Sequence, residues 1–221
     1  MISLKRLIFD RVSTIMLGSR LDNMSEITGG RRRRRRSDAE RSAAAVLDAA
    51  VQVLGRHPDA KVEQVAATAG VTRQTVYAHY PSRPLLVAAV IDRITTEAVA
   101  ALDAADVDSG TVTEALLRWL DVTWRLFDRY PLLRHPSVTA IEQADSDLQH
   151  AAVIERLERL IRRGQATGEF DDTLSPAWLV SATIALGHAA GGEVAAGRMT
   201  TAQTAAALRH SILRVYGARE A

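Results

Sequence analysis

The stretch VEQVAATAGVTRQTVYAHYPSRPLL, residues Val62 to Leu86, leaves few ways for this part of the chain to fold. A helical pattern of small residues stops at Gly70 and restarts at Thr72. Two helices joined across three or four residues that include a glycine form a helix-turn-helix, which holds its second helix proud of the surface. Ala66 is small where the helices must cross, and Gly70 can take the positive φ of a sharp turn. Val65, Val71 and Val76 are spaced to plug the seam against a preceding helix. Thr72, Arg73, Gln74 and Thr75 are then left together on an exposed first turn.

Those residue types suit a DNA duplex. Arg can make paired hydrogen bonds to guanine and Gln to adenine, and a Thr methyl can touch the thymine methyl. Tyr77, His79 and Arg83 follow with hydroxyl, imidazole and guanidinium groups that can bind phosphate. Such contacts set register, while contacts to base edges give specificity. A plain surface helix pair would share the glycine turn but has no need of this concentration of aromatic and basic groups.

In combination, the Ala66/Gly70/Val71 turn, then Val76-Tyr77-x-His79-Tyr80-x-Ser82-Arg83 and Leu85-Leu86, resembles the TetR family of transcriptional regulators over residues 40–90. The resemblance implies that Thr72 to Thr75 enter the major groove while Tyr77, His79 and Arg83 hold the backbone. It also implies a second, larger helical domain that senses a ligand and dimerises. Pro84 stands where the family often has Glu, and it removes an N–H that would otherwise face a phosphate.

Composition agrees with an all-α chain. The apolar residues are mainly Ala, Leu and Val, and Ala and Leu favour helices. There is no cysteine, which excludes disulfides and thiolate chemistry. Asp10 and Arg11 interrupt the apolar run near the N-terminus, and no span reaches membrane length, so a cytoplasmic protein is expected. Residues 1–36 carry ten basic and three acidic side chains, whereas residues 94–221 carry twelve basic and seventeen acidic ones. A polyanion met from the N-terminal end fits that asymmetry.

The domain reading is a basic, disordered arm over 1–36, a DNA-binding domain over 37–84, and a sensing and dimerising domain over 85–221. The run Arg31 to Arg36 is expected to reach a minor groove or phosphates, with Arg35 and Arg36 nearest the first helix. Met24 offers an alternative start. Ser37-x-x-Glu40 reads as a capping box opening that helix, and Ser82, with Pro84 in the first turn, caps the fourth.

Trp119, Thr123, Trp124, Phe127 and Tyr130 concentrate aromatics on one helix, from about Val112 to Tyr130, in a chain otherwise poor in them. They are the candidate lining of an effector pocket; core filling is the bland alternative. His135, His150 and His188 are too scattered for a metal site, and no cofactor is expected. The last two helices, opening at Leu174–Pro176 and Thr200, are rich in Ala and Gly and are expected to pair two copies. Phosphate-binding Gly loops, His-Glu-x-x-His helices and nucleophile elbows are missing, so no enzyme is read here. The expected function is a ligand-released repressor acting as a homodimer on a near-palindromic operator. The alternative is a helical interaction protein without DNA-binding activity.

Overall fold

The computed structural model describes residues 25–134 and 151–218, the side chains of 25–36 and of residue 134 apart. These residues form helices α1 (Ser25–Leu54), α2 (Val62–Ala69), α3 (Arg73–His79), α4 (Arg83–Ala104) and α5 (Val112–Arg129). A 3₁₀ turn (Pro131–Arg134) follows, then α6 (Ala151–Thr167), α7 (Pro176–Ala195) and α8 (Thr201–Val215). There is no strand among the described residues. The all-α expectation holds.

Residues 1–42 and 43–221 are two compact units. In the first, α1 starts at Ser25, twelve residues before the expected Ser37, and its backbone is helical through Arg31–Arg36. Arginine ranks near the top of the helix formers. Once the helix is continuous, Ser37 has no orphaned N–H groups at a terminus to cap. The expected disordered arm is therefore helical over 25–36, and residues 1–24 lie outside the described residues. Asp38 instead pairs with Arg41 one turn on.

In the second unit, side-chain caps fix the helix starts. Thr72 Oγ1 accepts from Thr75 N–H (3.1 Å) at α3, and Ser82 Oγ accepts from Leu85 N–H at α4. Thr111 with Glu114, and Thr200 with Gln203, close reciprocal capping boxes at α5 and α8, while Ser175 precedes Pro176 at α7. Gly70 ends α2 with φ +66°. Its N–H donates to Ala67 O and that of Val71 to Ala66 O, the two bonds of a Schellman turn. A Cβ there would meet nothing, so the backbone angle, not crowding, demands glycine.

The core runs without a break from the small helices into the bundle. Val46, Ala50 and Leu54 of α1 join Val65, Ala66 and Val76, and Val71 packs at the edge. Further along, Leu86, Val90 and Ile91 of α4, Leu116 and Leu120 of α5, Leu157 and Ile161 of α6, Leu179 of α7 and Ile212 of α8 are all buried. Helix α5 lies deep, as its narrow charged stripe requires. Asp121 pairs with Arg209 of α8, and Asp128 accepts from Thr201 (3.3 Å). The sequence division at 84/85 falls in the first turn of α4. One helix thus serves both the reading head and the bundle.

Beneath the bundle, Gly164 lets Phe170 approach so closely that a Cβ would lie 2.2 Å from its ring. Phe170 meets Tyr216 edge-on at 5.1 Å. Thr183 donates to Leu179 O (2.8 Å), so in its 2.8 Å bond with Tyr216 the tyrosine hydroxyl is the donor. Burial pushes that phenol up to about 12.

Candidate nucleic-acid interface and effector cavity

The turn at Gly70 and the cap at Thr72 together decide what α3 shows to solvent. Val76 turns inward, almost completely buried, so Thr72, Arg73 and Gln74 are exposed on the outer side with Thr75 half-buried. Thr72 and Thr75 also share a hydroxyl contact of 2.9 Å, so both are partly occupied in shaping the first turn. Arg73 pairs with Glu63 of α2 at 2.8 Å and lies over the Tyr77 ring, 5.3 Å from its centre. The hydrogen bond to Tyr77 and then the charge of Glu63 raise the Arg73 pKa. Glu63 was not singled out in the sequence, although it sits ten residues before Arg73 on the partner helix.

Tyr77 and His79 are half-buried beside this turn. Arg83 takes a different role from the expected phosphate contact. Its Nη2 donates to Pro58 O and, at 3.2 Å, to Ala60 O, tying the α1–α2 loop to the start of α4. A guanidinium has five donors, so anchoring engages only part of it. Tyr80 reaches the Ala43 carbonyl (3.5 Å) and holds α3 to α1. The side chains of Arg35 and Arg36 lie outside the described residues.

Within the bundle, a cavity of about 270 Å³ opens between α4, α5, α6 and α7. Trp119, Thr123, Trp124 and Phe127 line it, joined by Ile94, Thr95 and Ala98 of α4, Ile154 and Leu157 of α6, and Thr183 and His188 of α7. Four of the five expected lining residues therefore meet at one hollow. Tyr130 does not line it. Its hydroxyl donates to Glu97 Oε2 (2.7 Å), its ring lies against Gly55 at the end of α1, and Arg129 closes over it while pairing with Glu97 Oε1 (2.7 Å). The helix ends at Arg129, and Tyr130 has φ −122° and ψ 82°. It has left the phase that would carry it onto the face of Phe127.

His188 meets Phe127 edge-on at 5.6 Å, and burial lowers its pKa below the ordinary value. His135 and His150 lie outside the described residues, and among those described no three His, Asp or Glu side chains gather to hold a metal. No described helix is long and apolar enough to cross a membrane.

Residues 46–90, which span the reading head, match the model of the bacterial regulatory proteins of the tetR family. The crystal structure of the TetR-like regulator LfrR from Mycobacterium smegmatis, in complex with proflavine, superposes with a TM-score of 0.61. It is 30% identical and covers 78% of this chain and 94% of that one. The chain belongs to the TetR family. Membership makes it a transcriptional regulator rather than an enzyme. The HTH-type transcriptional repressor LfrR of Mycolicibacterium smegmatis is 37% identical over 126 residues, 54% of this chain but only 65% of that protein. The regulator FadR from Bacillus subtilis in complex with stearoyl-CoA gives a TM-score of 0.59 at 18% identity, over 78% of this TetR-family chain and 96% of its own. That likeness is one of fold.

Proposed function

We propose that this regulator is a ligand-released repressor that binds a near-palindromic operator as a homodimer in the cytoplasm. The observation that carries the reading is the outer turn of α3, where Thr72, Arg73 and Gln74 are exposed together while Val76 anchors the helix inward. Arg73 and Gln74 are the base readers, the Thr methyls add apolar contact, and Tyr77 and His79 hold the backbone. Arg83 acts first as an anchor of the loop under α4. The arginines 31–36 add electrostatic affinity.

Self-association is supported by the outer face of α7. Trp178 is 60% exposed, a large apolar surface for a chain to leave in water. Gly192, on the same face as Trp178, has open space where a Cβ would stand, so a second helix can come close there. Ala202, Ala206 and Ala207 continue the small exposed surface onto α8. Two copies joined in this way carry two α3 helices to half-sites about 34 Å apart, one turn of DNA.

The cavity supplies the release. Its α4 wall, Ile94, Thr95 and Ala98, belongs to the helix whose first turn follows α3 directly. A ligand shifts the protein only through its preference for the conformation that cannot bind DNA. A hundredfold preference is worth about 2.7 kcal/mol. The LfrR complex with proflavine supports a small-molecule effector in a chain of this fold.

The test is selection of duplexes from a random library by the full chain, then fluorescence anisotropy with the selected site. Replacing Arg73, Gln74 and Tyr77 by Ala should abolish sequence-dependent binding while the helical circular dichroism remains. Equal binding by the folded triple variant would refute the reading of α3, and failure of the full chain to select any duplex would favour the interaction-protein alternative.

A further inference from the structure

A base-reading arginine faces a competition that its own charge creates. A guanidinium on the surface of a DNA reader is drawn to any phosphate within reach, and that contact carries no sequence information. To read guanine it must instead hold a planar edge toward O6 and N7. The placement of Glu63 bears directly on which of the two Arg73 meets.

Glu63 is the second residue of α2 and Arg73 the first of α3, and the turn at Gly70 brings them together. They pair at 2.8 Å through Arg73 Nη1. The guanidinium also lies over the ring of Tyr77, one turn further along α3, with its carbon 5.3 Å from the ring centre. Carboxylate and ring together restrain it. A guanidinium has five N–H donors, so this grip leaves others for a base. The cap of α2 does not call on Glu63, because Gln64 Oε1 accepts from Lys61 N–H at 2.8 Å. Both members of the pair are more than half exposed, so it adds little to stability. Its consequence lies at the reading surface.

That consequence has a sign. The Glu63 carboxylate cancels part of the attraction that Arg73 offers a phosphate, and it repels the phosphate itself. A guanine edge carries no net charge and escapes the repulsion. The backbone contact is penalised and the base contact is spared.

We propose that Glu63 is a specificity-determining positioning residue, which holds Arg73 for a guanine edge and turns it away from phosphates. The proposal rests on the reading of α3 as the recognition helix. Glu63 lowers affinity for DNA in general and raises discrimination at one base pair of each half-site.

The test measures fluorescence anisotropy of the full chain on the selected operator, on operators changed at one base pair per half-site, and on an unrelated duplex. Arg73→Ala identifies the base pair concerned, as the one at which wild type discriminates and the variant does not. Glu63→Gln should bind the unrelated duplex more tightly and lose about tenfold in discrimination at that base pair. It should keep its discrimination at the other positions, with helical circular dichroism and thermal midpoint unchanged. Equal tightening on every duplex, with discrimination intact at the Arg73 position, would make Glu63 a plain repulsive charge and overturn the proposal. A loss spread evenly over all positions would also overturn it, because that marks a displaced α3 rather than a misdirected Arg73. If Arg73→Ala loses base preference at no position, the reading of α3 falls and the proposal falls with it.

Discussion

Removing one oxygen atom should show whether the bundle and the reading head are mechanically joined at Tyr130. Tyr130→Phe deletes the hydroxyl that donates to Glu97 Oε2 at 2.7 Å while keeping the ring against Gly55. A hydrogen bond to a charged group contributes about 1.5–3 kcal/mol. Glu97 keeps Arg129 on its other oxygen and its side chain is 37% exposed, so water can replace part of the loss. The expected cost is therefore about 1–1.5 kcal/mol, or a fall in Tm of about 2–6 °C for a chain of this size. Glu97→Gln keeps an acceptor in place but removes its charge, and should cost less. The double variant should cost less than the two singles added together, because they share one bond. Urea unfolding of the four proteins measures the cycle, and operator titration with and without effector measures coupling. Both hydroxyl loss and charge loss should weaken effector response more than they weaken DNA binding alone. Additive singles, or a Tyr130→Phe protein with unchanged stability and unchanged response, would refute the connection.

Glu63→Gln should tighten DNA binding by freeing Arg73 and removing a negative charge beside the recognition turn, which anisotropy at fixed salt would measure. Trp178→Glu places a charge on the apolar face of α7 and should turn dimer into monomer in sedimentation at micromolar concentration; an unmoved dimer would place the interface elsewhere. His188 supplies a pH signature. Its folded pKa lies below the ordinary 6.5, so the unfolded chain takes the proton first, and the stabilisation is complete above about pH 6.5 and declines as pH falls below it. Urea unfolding should show wild type losing more stability than His188→Phe between neutral pH and about pH 5.

What was legible in the sequence is what local chemistry decides. The turn at Gly70, the caps at Ser82 and Thr200, and the inward Val76 each follow from residues within one or two turns. Trp119, Thr123, Trp124 and Phe127 fall on one wall because they share a helix in phase. Tyr130 breaks that inference at the point where Pro131 ends the helix and its backbone leaves the helical angles. Arg83 read as a phosphate ligand because its charge is visible in sequence, whereas the Pro58 and Ala60 carbonyls that claim it are 25 and 23 residues away. The arginine run misled in another way. Mutual repulsion argued for an unfolded arm, yet arginine's intrinsic preference favours the helix found over 25–36.

The geometry also bounds how an effector can act. Helix α4 has 22 residues, and from Thr95 in the cavity wall to Arg83 beside the end of α3 is about 18 Å along its axis. A tilt of about 10° at the wall would move that end by about 3 Å, more than the few tenths of an ångström that separate a good hydrogen bond from a poor one. Both half-sites suffer in a dimer, so a modest tilt is sufficient to lose paired contacts to bases. The tilt must nevertheless come from the ligand's differential contact with Ile94, Thr95 and Ala98. A molecule that fills the aromatic side of the cavity and leaves that wall where it stands would bind tightly and release nothing. Affinity and release are therefore separate properties of the same cavity, set by different sides of it.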